Sequence, residues 1–276
     1  MVKPGRSPRR LRAGARLDKY RVITCLGQGG FSTVYAAYDT LEGRDVALKL
    51  PHPHLYDSPM AMERLMREIK INARLEHPGI LGLKNASFID GRLVMAFPIG
   101  VETLAQRLAR RLSRQTAWEW ALQMIDAIAF AHENRVLHLD IKPENFILFD
   151  EHRIRLADFG LARLARGEIN ASGSGTLGYI APEQAMGRPS FRSDVFSLGL
   201  VLYRMLSGEL PKYPFSPPLP GIRRLRRSLN PELLEGLKKA IEPIPARRFR
   251  DVVAMRNAIC RLRRPFRSHL SGHNVS

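Results

Sequence analysis

Short runs rich in apolar and β-branched residues, separated by turn residues, occur through the first third of the chain and predict β-strands. These runs are residues 20–26, 33–38, 45–50 and 93–97. Glycines between the first two runs predict a hairpin, and Pro98 with Gly100 ends the last strand. Residues 60–76 have apolar positions at helical spacing instead, and predict one amphipathic helix among the strands.

The remainder of the chain has apolar positions mainly at helical spacing. The predicted helices are residues 117–134, 194–207, 231–241 and 250–262. The strand-rich and helix-rich parts meet near residues 97–100, so we predict an α+β fold of two lobes with a cleft between them. Residues 1–16 combine proline, glycine and basic side chains, which predicts a disordered arm, and a loose tail is expected from Pro265.

The chain is strongly basic, with 44 lysine and arginine residues against 26 acidic residues and a formal net charge of +18. Such a surface attracts acidic proteins or an anionic membrane surface, and the basic arm is the expected contact region. Nucleic acid is not an expected partner, because no aromatic residues interleave with the basic clusters at residues 3–16 and 223–227. The same charge also fits a solvated surface without a partner.

The longest strongly apolar stretch, residues 195–206, is too short to span a bilayer and is interrupted by Arg204. No signal peptide is recognised, because the basic start of the chain is followed by no apolar core. Cys25 and Cys260 lie far apart in the sequence and indicate neither a disulfide framework nor a metal cluster. We therefore expect a cytoplasmic protein without a transmembrane segment.

The segment from His138 to Asn145, together with Asp158-Phe159-Gly160, carries the candidate chemistry. Phosphoryl transfer from ATP needs an acid beside the attacking hydroxyl, and a second acid with an amide oxygen that hold magnesium against the phosphates. The order and offsets of these residues resemble those of the eukaryotic-like (Hanks-type) serine/threonine protein kinases, and most closely their compact bacterial members.

The resemblance implies a two-lobed protein kinase fold. Its parts are a small, mainly β N-lobe with one main helix (residues 17–97), a hinge (96–100), a larger, mainly α C-lobe (101–264) and a tail (265–276). The substrates implied are ATP and proteins.

The resemblance also implies a role for each residue of the two motifs. Asp140 is expected to accept the proton of the substrate hydroxyl, and Lys142 to neutralise charge on the transferred phosphoryl group. Asn145 and Asp158 are expected to bind Mg²⁺, with Mn²⁺ as the alternative ion. His138 is expected to pack beneath the catalytic loop.

The glycine-rich segment before Val34 resembles the loop that covers the phosphates in this family. Glycines allow backbone N–H groups to approach phosphates closely, although Ser32 stands where the third glycine usually lies. Lys49 is expected to bind the α- and β-phosphates and to be held by Glu68, with Glu63 as the alternative partner. The other expected ATP-binding residues are Gly27, Gln28, Gly29, Gly30, Val34, Ala47, Met95, Ala96 and Ile147.

Residues 175–183 resemble the end of a kinase activation segment, with its Ala-Pro-Glu element. Glu183 is expected to form a buried ion pair with Arg248, or alternatively with Arg247. Asp194 is expected to accept hydrogen bonds from the catalytic-loop backbone. These roles are structural rather than catalytic.

Leu139 stands where the family usually has an arginine that pairs with a phosphorylated residue of the activation loop. Without that arginine, one route by which a phosphate orders the loop is missing. We therefore predict activity that does not require phosphorylation of the activation loop, including Ser172 and Ser174.

The hinge is predicted to be Met95-Ala96-Phe97-Pro98. Met95 would then lie beside the adenine pocket, and the Ala96 carbonyl would accept from the adenine amino group. Pro98 would fall where a backbone N–H usually donates to the ring, and proline has none.

Two other functions remain as alternatives. A pseudokinase scaffold would keep the fold and bind acidic partners, but all of the expected catalytic residues are present. A phosphotransferase for small molecules would lack the Ala-Pro-Glu element. Lys142 and Thr176 together resemble the serine/threonine-directed pattern.

Overall fold

The computed structural model describes residues 11–150, 152–159, 177–259, 261–262 and 265–266. Within these residues, the predicted two-lobed α+β architecture is confirmed. The first lobe contains an antiparallel sheet and one long helix, and the second lobe is mainly helical.

The first lobe is built on a six-stranded sheet with the order β1-β2-β3-β4-β6-β5. Its strands are β1 (Arg16–Leu17), β2 (Tyr20–Gln28), β3 (Ser32–Asp39), β4 (Arg44–Pro51), β5 (Asn85–Ile89) and β6 (Arg92–Pro98). At the start of β2, Tyr20 and Val22 are buried while Arg21 between them is exposed. This alternation places the apolar side chains of the strand on the core face of the sheet.

A single long helix, α1 (Pro59–Arg74), packs against this sheet. The hydroxyl of Ser58 caps its first turn by accepting from Ala61 N at 3.3 Å, and proline fits the first helical position. Leu65 is buried in one apolar cluster with residues of β6. Glu68 lies three residues later on the same helix face, so the packing of Leu65 directs Glu68 toward the sheet.

The second lobe is a helical body around a large apolar core. Its helices are α2 (Leu104–Arg107), α3 (Arg114–Glu133), α4 (Pro182–Ala185), α5 (Phe191–Ser207), α6 (Ile222–Ser228), α7 (Pro231–Ala240) and α8 (Val252–Ile259). Helix α5 is buried along most of its length, begins at a capping box of Ser190 and Ser193, and ends at Gly208 with φ 84°. None of the helices in the described residues is long and apolar enough to cross a membrane.

A small three-stranded sheet lies between the lobes and carries the loops of interest. Its strands are β7 (Glu102–Thr103), β8 (Phe146–Leu148) and β9 (Ile154–Leu156), in that order. Leu81 N donates to Leu156 O at 2.8 Å, which ties the first lobe to β9. A 3-10 turn, Pro143–Asn145, leads directly into β8, and Asp158 follows β9. The hairpin therefore positions both candidate loops side by side.

Both chain ends differ from the predicted boundaries. Residues 11–16 belong to the predicted arm, yet Leu11 and Ala15 pack against the core of the first lobe. Phe266, in the predicted loose tail, packs against the core of the second lobe. In both places, apolar side chains gain burial that the local proline and basic composition does not indicate. The remainder of both segments lies outside the described residues.

Candidate active site

One lysine and two carboxylates meet in the cleft and are here called the cleft cluster: Lys49 from β4 and Glu68 from α1, which are buried, and Asp158 after β9, which is partly exposed. Lys49 Nζ lies 3.5 Å from Glu68 Oε1 and donates a hydrogen bond to Asp158 Oδ1. The side chains of Lys49 and Glu68 are 7% and 4% exposed. Glu63, the alternative partner, pairs instead with Arg67 at 3.0 Å on the exposed side of α1. The cluster therefore joins both lobes through one ammonium group.

Burial and charge act in opposite directions on the pKa values of the cleft cluster. Burial alone would lower the pKa of Lys49, but Asp158 and Glu68 raise it above its ordinary value. Burial alone would raise the pKa of Asp158, but Lys49 holds it below its ordinary value. For Glu68, the effect of burial is larger than the opposing effect of Lys49, and the pKa is raised to about 7. Glu68 Oε2 is also buried without a hydrogen-bond partner among the described residues. The cleft cluster therefore contains one buried acceptor that no hydrogen bond from the described residues reaches.

The catalytic loop brings a carboxylate, an ammonium group and an amide together beside the cleft cluster. Asp140 Oδ2 lies 2.8 Å from Lys142 Nζ. The Asn145 amide nitrogen donates to Asp140 O at 2.7 Å and to Asp140 Oδ2 at 2.9 Å. The Asp140 side chain is 26% exposed, so it remains accessible to a substrate. These contacts fix the orientation of the carboxylate before any substrate binds.

The oxygen atoms at this site fit a hard divalent cation. Asn145 uses its amide nitrogen toward Asp140, which leaves its carbonyl oxygen as a ligand. Asp158 engages Lys49 through Oδ1, so its Oδ2 is the second oxygen that could bind a cation. Carboxylate and amide oxygens are ligands that Mg²⁺ accepts, with the remaining positions supplied by water and phosphate oxygens.

Asp194, at the start of α5, anchors the catalytic loop from within the core. Its carboxylate accepts from His138 N at 2.9 Å, from Leu139 N at 2.8 Å and from the His132 ring at 3.0 Å. His132 Nδ1 accepts from Val252 N at 3.1 Å, so Nε2 carries the proton and donates to Asp194. Although burial raises the pKa of Asp194, these donors hold it below its ordinary value.

His138 joins the two motif segments beneath the loop. Its Nδ1 accepts from Asp140 N at 3.2 Å, so Nε2 carries the proton and donates to Ala157 O at 2.9 Å. Its ring packs edge-on against buried Phe159, with ring centroids 4.8 Å apart. Leu139 has φ 64°, a left-handed conformation that costs energy for a residue with a side chain. Its neighbours His138 and Asp140 are held by hydrogen bonds from their backbone N–H groups to Asp194 and His138.

The predicted ion pair of the second lobe involves Arg248. Arg248 donates from Nη1 to Glu183 Oε1 at 2.8 Å and from Nη2 to Glu183 Oε2 at 3.0 Å. Arg247, the alternative, is exposed. Arg248 also stacks on Phe196 of α5, with its guanidinium carbon 4.5 Å from the ring centroid. The pair, here called the scaffold pair, ties the Ala-Pro-Glu element to the end of the lobe.

The glycine-rich segment forms the hairpin between β2 and β3. Gly27, Gln28, Gly29 and Gly30 are all exposed. Gly29 N donates to Ser32 O at 2.9 Å and closes the turn. Buried His52, after β4, lies 3.2 Å from Gly30 O through Nδ1 and 3.1 Å from the Thr33 hydroxyl through Nε2. A carbonyl only accepts, so Nδ1 carries the proton, and this neutral ring supports the hairpin from below.

The pairing of β4 with β6 positions the residues of the predicted hinge relative to Lys49 and Ala47. Lys49 is opposite Met95, and Ala47 is opposite Phe97. Directly opposite residues share one face of a sheet, and Val34 is opposite Lys49 on that face. Phe97 therefore lies opposite Ala47 and Met95 opposite Lys49, and both side chains pack in one apolar cluster with Ala47 and Ile147.

The backbone of the predicted hinge takes part in the sheet. The Ala96 carbonyl accepts from Lys84 N at 2.8 Å, so it already serves as a sheet acceptor. Alternate residues of a strand direct their backbone polar groups to the same side. The Pro98 carbonyl therefore points to the same side as the Ala96 carbonyl, toward β5. It lies beyond the last residue pair between β5 and β6. The missing N–H of Pro98 faces the same unpaired side. A side chain on Gly100 would overlap Ile147, so the hinge passes close to β8 only because residue 100 is glycine.

Several functional contacts were not predicted from the sequence. They are His52 under the hairpin, His132 on Asp194, and Gln184, which donates to Leu139 O at 2.6 Å. No sequence signal marks them, because each partner is distant along the chain. Gly160, Ser172, Ser174 and Thr176, which the sequence analysis singled out, lie outside the described residues.

The fold and this site together define a two-lobed kinase, and comparison with known proteins identifies the family. A family model described as the protein kinase domain matches residues 20–217. The serine/threonine-protein kinase PknB of Mycolicibacterium smegmatis is 33% identical over 270 residues, covering 89% of this chain and 43% of that protein. The CBL-interacting protein kinase 16 of Oryza sativa is 35% identical over 205 residues, covering 71% and 45%. The chain thus spans less than half the length of these curated relatives.

Comparison with solved structures identifies the same fold. The kinase domain of PknI from Mycobacterium tuberculosis has a TM-score of 0.70 and 27% identity, with 91% of this chain and 99% of that one covered. The apo form of PpkA-294 shares the fold, with a TM-score of 0.76, 23% identity and the same coverage of 91% and 99%. The chain belongs to the protein kinase family, and its resemblance to bacterial Hanks-type serine/threonine kinases is confirmed.

Proposed function

We propose that the chain is an ATP-dependent serine/threonine protein kinase. One observation carries the proposal: Lys49 of the first lobe contacts Asp158 of the second lobe, next to the ion pair of Asp140 and Lys142. Phosphoryl transfer depends on positioning and on stabilisation of charge, and this arrangement supplies groups for both.

Each residue has a proposed role in the reaction. Lys49 binds the α- and β-phosphates of ATP and is held in place by Glu68. Asp140 orients the serine or threonine hydroxyl and accepts its proton as the oxygen attacks the γ-phosphorus. The bond from the γ-phosphorus to the bridging oxygen breaks, and ADP leaves. Lys142 neutralises the charge that builds up on the transferred group.

Asn145 and Asp158 are the proposed ligands of Mg²⁺, with Mn²⁺ as the alternative ion. When bound, the ion neutralises phosphate charge and orients the triphosphate. His138, Asp194, Glu183 and Arg248 have a structural role, because they hold the catalytic loop and the segment next to it.

The adenine-binding edge is proposed to lie two residues beyond the sequence-based assignment. Phe97 takes the position beside the adenine ring, the Pro98 carbonyl accepts from its amino group, and Gly100 N donates to the ring. In this register Pro98→Ala leaves the KM for ATP unchanged, because no N–H is missing where one is needed. An increase in ATP affinity of about tenfold in Pro98→Ala would instead support the hinge assignment made from the sequence, in which Pro98 lacks a needed N–H.

Phosphorylation of the activation loop is proposed to be dispensable, since Leu139 cannot pair with a phosphate. The double variant Ser172→Ala/Ser174→Ala, prepared free of phosphate, is expected to keep most of its activity. Loss of most activity would refute this proposal.

The basic arm is proposed to bring the protein to an acidic protein or an anionic surface. Removal of residues 1–10, which precede the packed segment at Leu11, is expected to weaken binding to anionic vesicles or acidic proteins at low salt. Unchanged binding would count against this role. Cytoplasmic localisation stays a prediction from the sequence.

The central test is incubation with Mg²⁺, γ-labelled ATP and a generic basic or acidic protein. The wild-type protein is expected to label serine or threonine, and Asp140→Asn to lose about 10²–10⁴-fold in rate. A pseudokinase would bind partners without labelling them. A phosphotransferase for small molecules would consume ATP without labelling protein. Either outcome would overturn the proposed function.

A further inference from the structure

A cavity of about 490 Å³, here called the arginine cavity, lies outside the active site in the second lobe. Its lining includes four arginines, Arg110, Arg111, Arg204 and Arg224, with Leu108 and Leu112 as apolar walls. It is bounded by the segment after α2, the C-terminal end of α5, and α6. Four guanidinium groups around one cavity repel one another unless an anion lies between them.

The arginines of this cavity have few acidic partners. Arg110 pairs with Glu102. Among the described residues, Arg111, Arg204 and Arg224 have no carboxylate within ion-pair distance. Arg204 donates instead to the Tyr179 hydroxyl at 2.7 Å, and Arg224 approaches the Ser207 carbonyl at 3.5 Å. Most of the positive charge in the cavity is therefore not neutralised by the protein itself.

Arg204 connects the arginine cavity to the substrate side of the active site. Its partner Tyr179 belongs to the 3-10 turn Leu177–Tyr179, which precedes the Ala-Pro-Glu element. Gln184, the residue after that element, donates to Leu139 O in the catalytic loop at 2.6 Å. The cavity therefore borders the segment that packs directly against the residue before Asp140. We expect a protein chain with its hydroxyl at Asp140 to pass this segment.

We propose that the arginine cavity binds an anionic group of the protein substrate, close in sequence to the hydroxyl that is phosphorylated. The group is a carboxylate side chain or the phosphate of an already phosphorylated residue, since guanidinium groups bind both. This inference rests on the proposed kinase function and adds a substrate class, namely acidic or phosphorylated segments. The apolar walls provide room for an apolar side chain next to the anionic group.

The test uses synthetic peptides with one serine in a neutral background. Separate peptides carry an aspartate, a phosphoserine or an arginine at successive positions on either side of that serine. We expect kcat/KM to rise about tenfold for an anionic group at a preferred position, through a lower KM. Comparison of the aspartate and phosphoserine peptides distinguishes the two sources of negative charge. Fluorescence anisotropy of labelled peptides with alanine in place of serine gives Kd without any turnover.

Matched variants separate the cavity from the general basic surface. Arg111→Glu/Arg224→Glu reverses the charge of two cavity residues. Arg223→Glu/Arg227→Glu makes the same change in net charge at exposed positions that do not line the cavity. The first variant is expected to lose the preference for anionic peptides or to prefer arginine peptides, and the second to keep the anionic preference. Arg111→Gln/Arg224→Gln serves if charge reversal impairs folding.

The outcomes separate this inference from the kinase function. Neutral peptides are expected to be phosphorylated equally by the wild type and by all of these variants, which reports the kinase activity alone. Equal Kd values for anionic and neutral peptides would overturn the inference, and so would an equal loss in cavity and control variants. Binding of phosphatidylserine vesicles that depends on Arg111 and Arg224, without any discrimination among peptides, would assign the cavity to membranes and also overturn it.

Discussion

The cleft cluster and the scaffold pair both contain buried side chains of opposite charge, but they differ in how completely the atoms of those side chains are hydrogen-bonded. Every nitrogen of the Arg248 guanidinium donates, to both oxygens of Glu183 and to three backbone carbonyls. In the cleft cluster, Glu68 Oε2 has no partner among the described residues, and burial raises the pKa of Glu68 to about 7. The two groups contain similar residue types, but within the described part of the chain only the scaffold pair has a hydrogen-bond partner for every nitrogen and oxygen of its charged groups.

This difference separates a structural role from a functional one. A buried ion pair whose members are fully hydrogen-bonded resists change, and removal of one member leaves an uncompensated charge. A buried group that lacks partners and has a shifted pKa is typical of a site that completes its contacts with a ligand. We therefore expect the scaffold pair to control stability and the cleft cluster to control catalysis.

The largest expected effect is on stability. Arg248→Met removes the partner of Glu183 and is expected to lower the free energy of unfolding by about 3–5 kcal/mol, because a buried carboxylate then remains unpaired. Urea denaturation monitored by circular dichroism measures this change. Arg247→Met is the matched control, because Arg247 is exposed and is expected to change the free energy of unfolding by less than about 0.5 kcal/mol. Similar free energies of unfolding for the two variants would contradict a structural role that distinguishes the scaffold pair from the cleft cluster.

The second effect is on catalysis. Lys49→Met is expected to lower kcat/KM by about 10²–10³-fold, because the buried group proposed to bind the phosphates is lost. Its stability is expected to fall less than that of Arg248→Met, because Glu68 takes up a proton when Lys49 is absent. Steady-state kinetics and urea denaturation of the same sample measure both quantities. Lys238→Met, on the surface of α7, is the control, and equal stability losses in Lys49→Met and Arg248→Met would contradict the comparison.

The third effect is a pH dependence that belongs to Glu68. Its pKa is about 7 in the folded protein and near 4.5 in the unfolded chain, so the folded state binds more protons between these values. Stability therefore falls as pH rises from about 4.5 to 7, by about 1–3 kcal/mol from this group. The lowered pKa of Asp158 and the raised pKa of Lys49 stabilise the fold throughout this window and add no slope.

Glu68→Gln isolates this slope, because the amide is neutral at every pH. Wild type and variant are compared by thermal unfolding without nucleotide at several pH values. The difference in stability is expected to favour the variant increasingly as pH rises from about 5 to 7.5. A difference that is constant with pH would show that Glu68 stays charged, and the cleft cluster would then resemble the scaffold pair.

The smallest expected effect concerns the roof of the nucleotide site. His52→Ala removes the donor to Gly30 O and the acceptor of the Thr33 hydroxyl, so the glycine-rich hairpin loses support. The KM for ATP is expected to rise about fivefold, which corresponds to about 1 kcal/mol, while kcat changes little. His54→Ala is the control, because His54 is exposed two residues away. A matching change in both variants would point to a general effect on this segment.

The sequence was sufficient to predict which residues form the cleft cluster, but not how well each is satisfied. The choice of Glu68 over Glu63 followed from its spacing to residues 76–78 within the kinase resemblance, and the structure brings Glu68 to Lys49 while Glu63 contacts Arg67. The pKa of Glu68 depends on the burial of its second oxygen, and no local pattern reports that burial.

The hinge shows why strand register is difficult to predict. The run 93–97 is apolar at every position and buried at every position, so no alternation reveals which side chains face the cleft. Pairing with β4 and β5 decided that Phe97 lies next to Ala47 and that the Ala96 carbonyl bonds within the sheet. A shift of a few residues in register changes every assignment of the hinge.

By itself, the sequence determined the two-lobed arrangement of strands and helices, because this depends on periodicity. The resemblance of its short motifs to those of protein kinases indicated the proposed reacting side chains, because the residues of each motif lie close together along the chain. Only the tertiary structure decided the hinge register, the histidines that hold the loops, and the cavity of four arginines drawn from three separate segments. These features depend on contacts between residues that are far apart along the chain, and their energies depend on burial, which the packed fold alone determines.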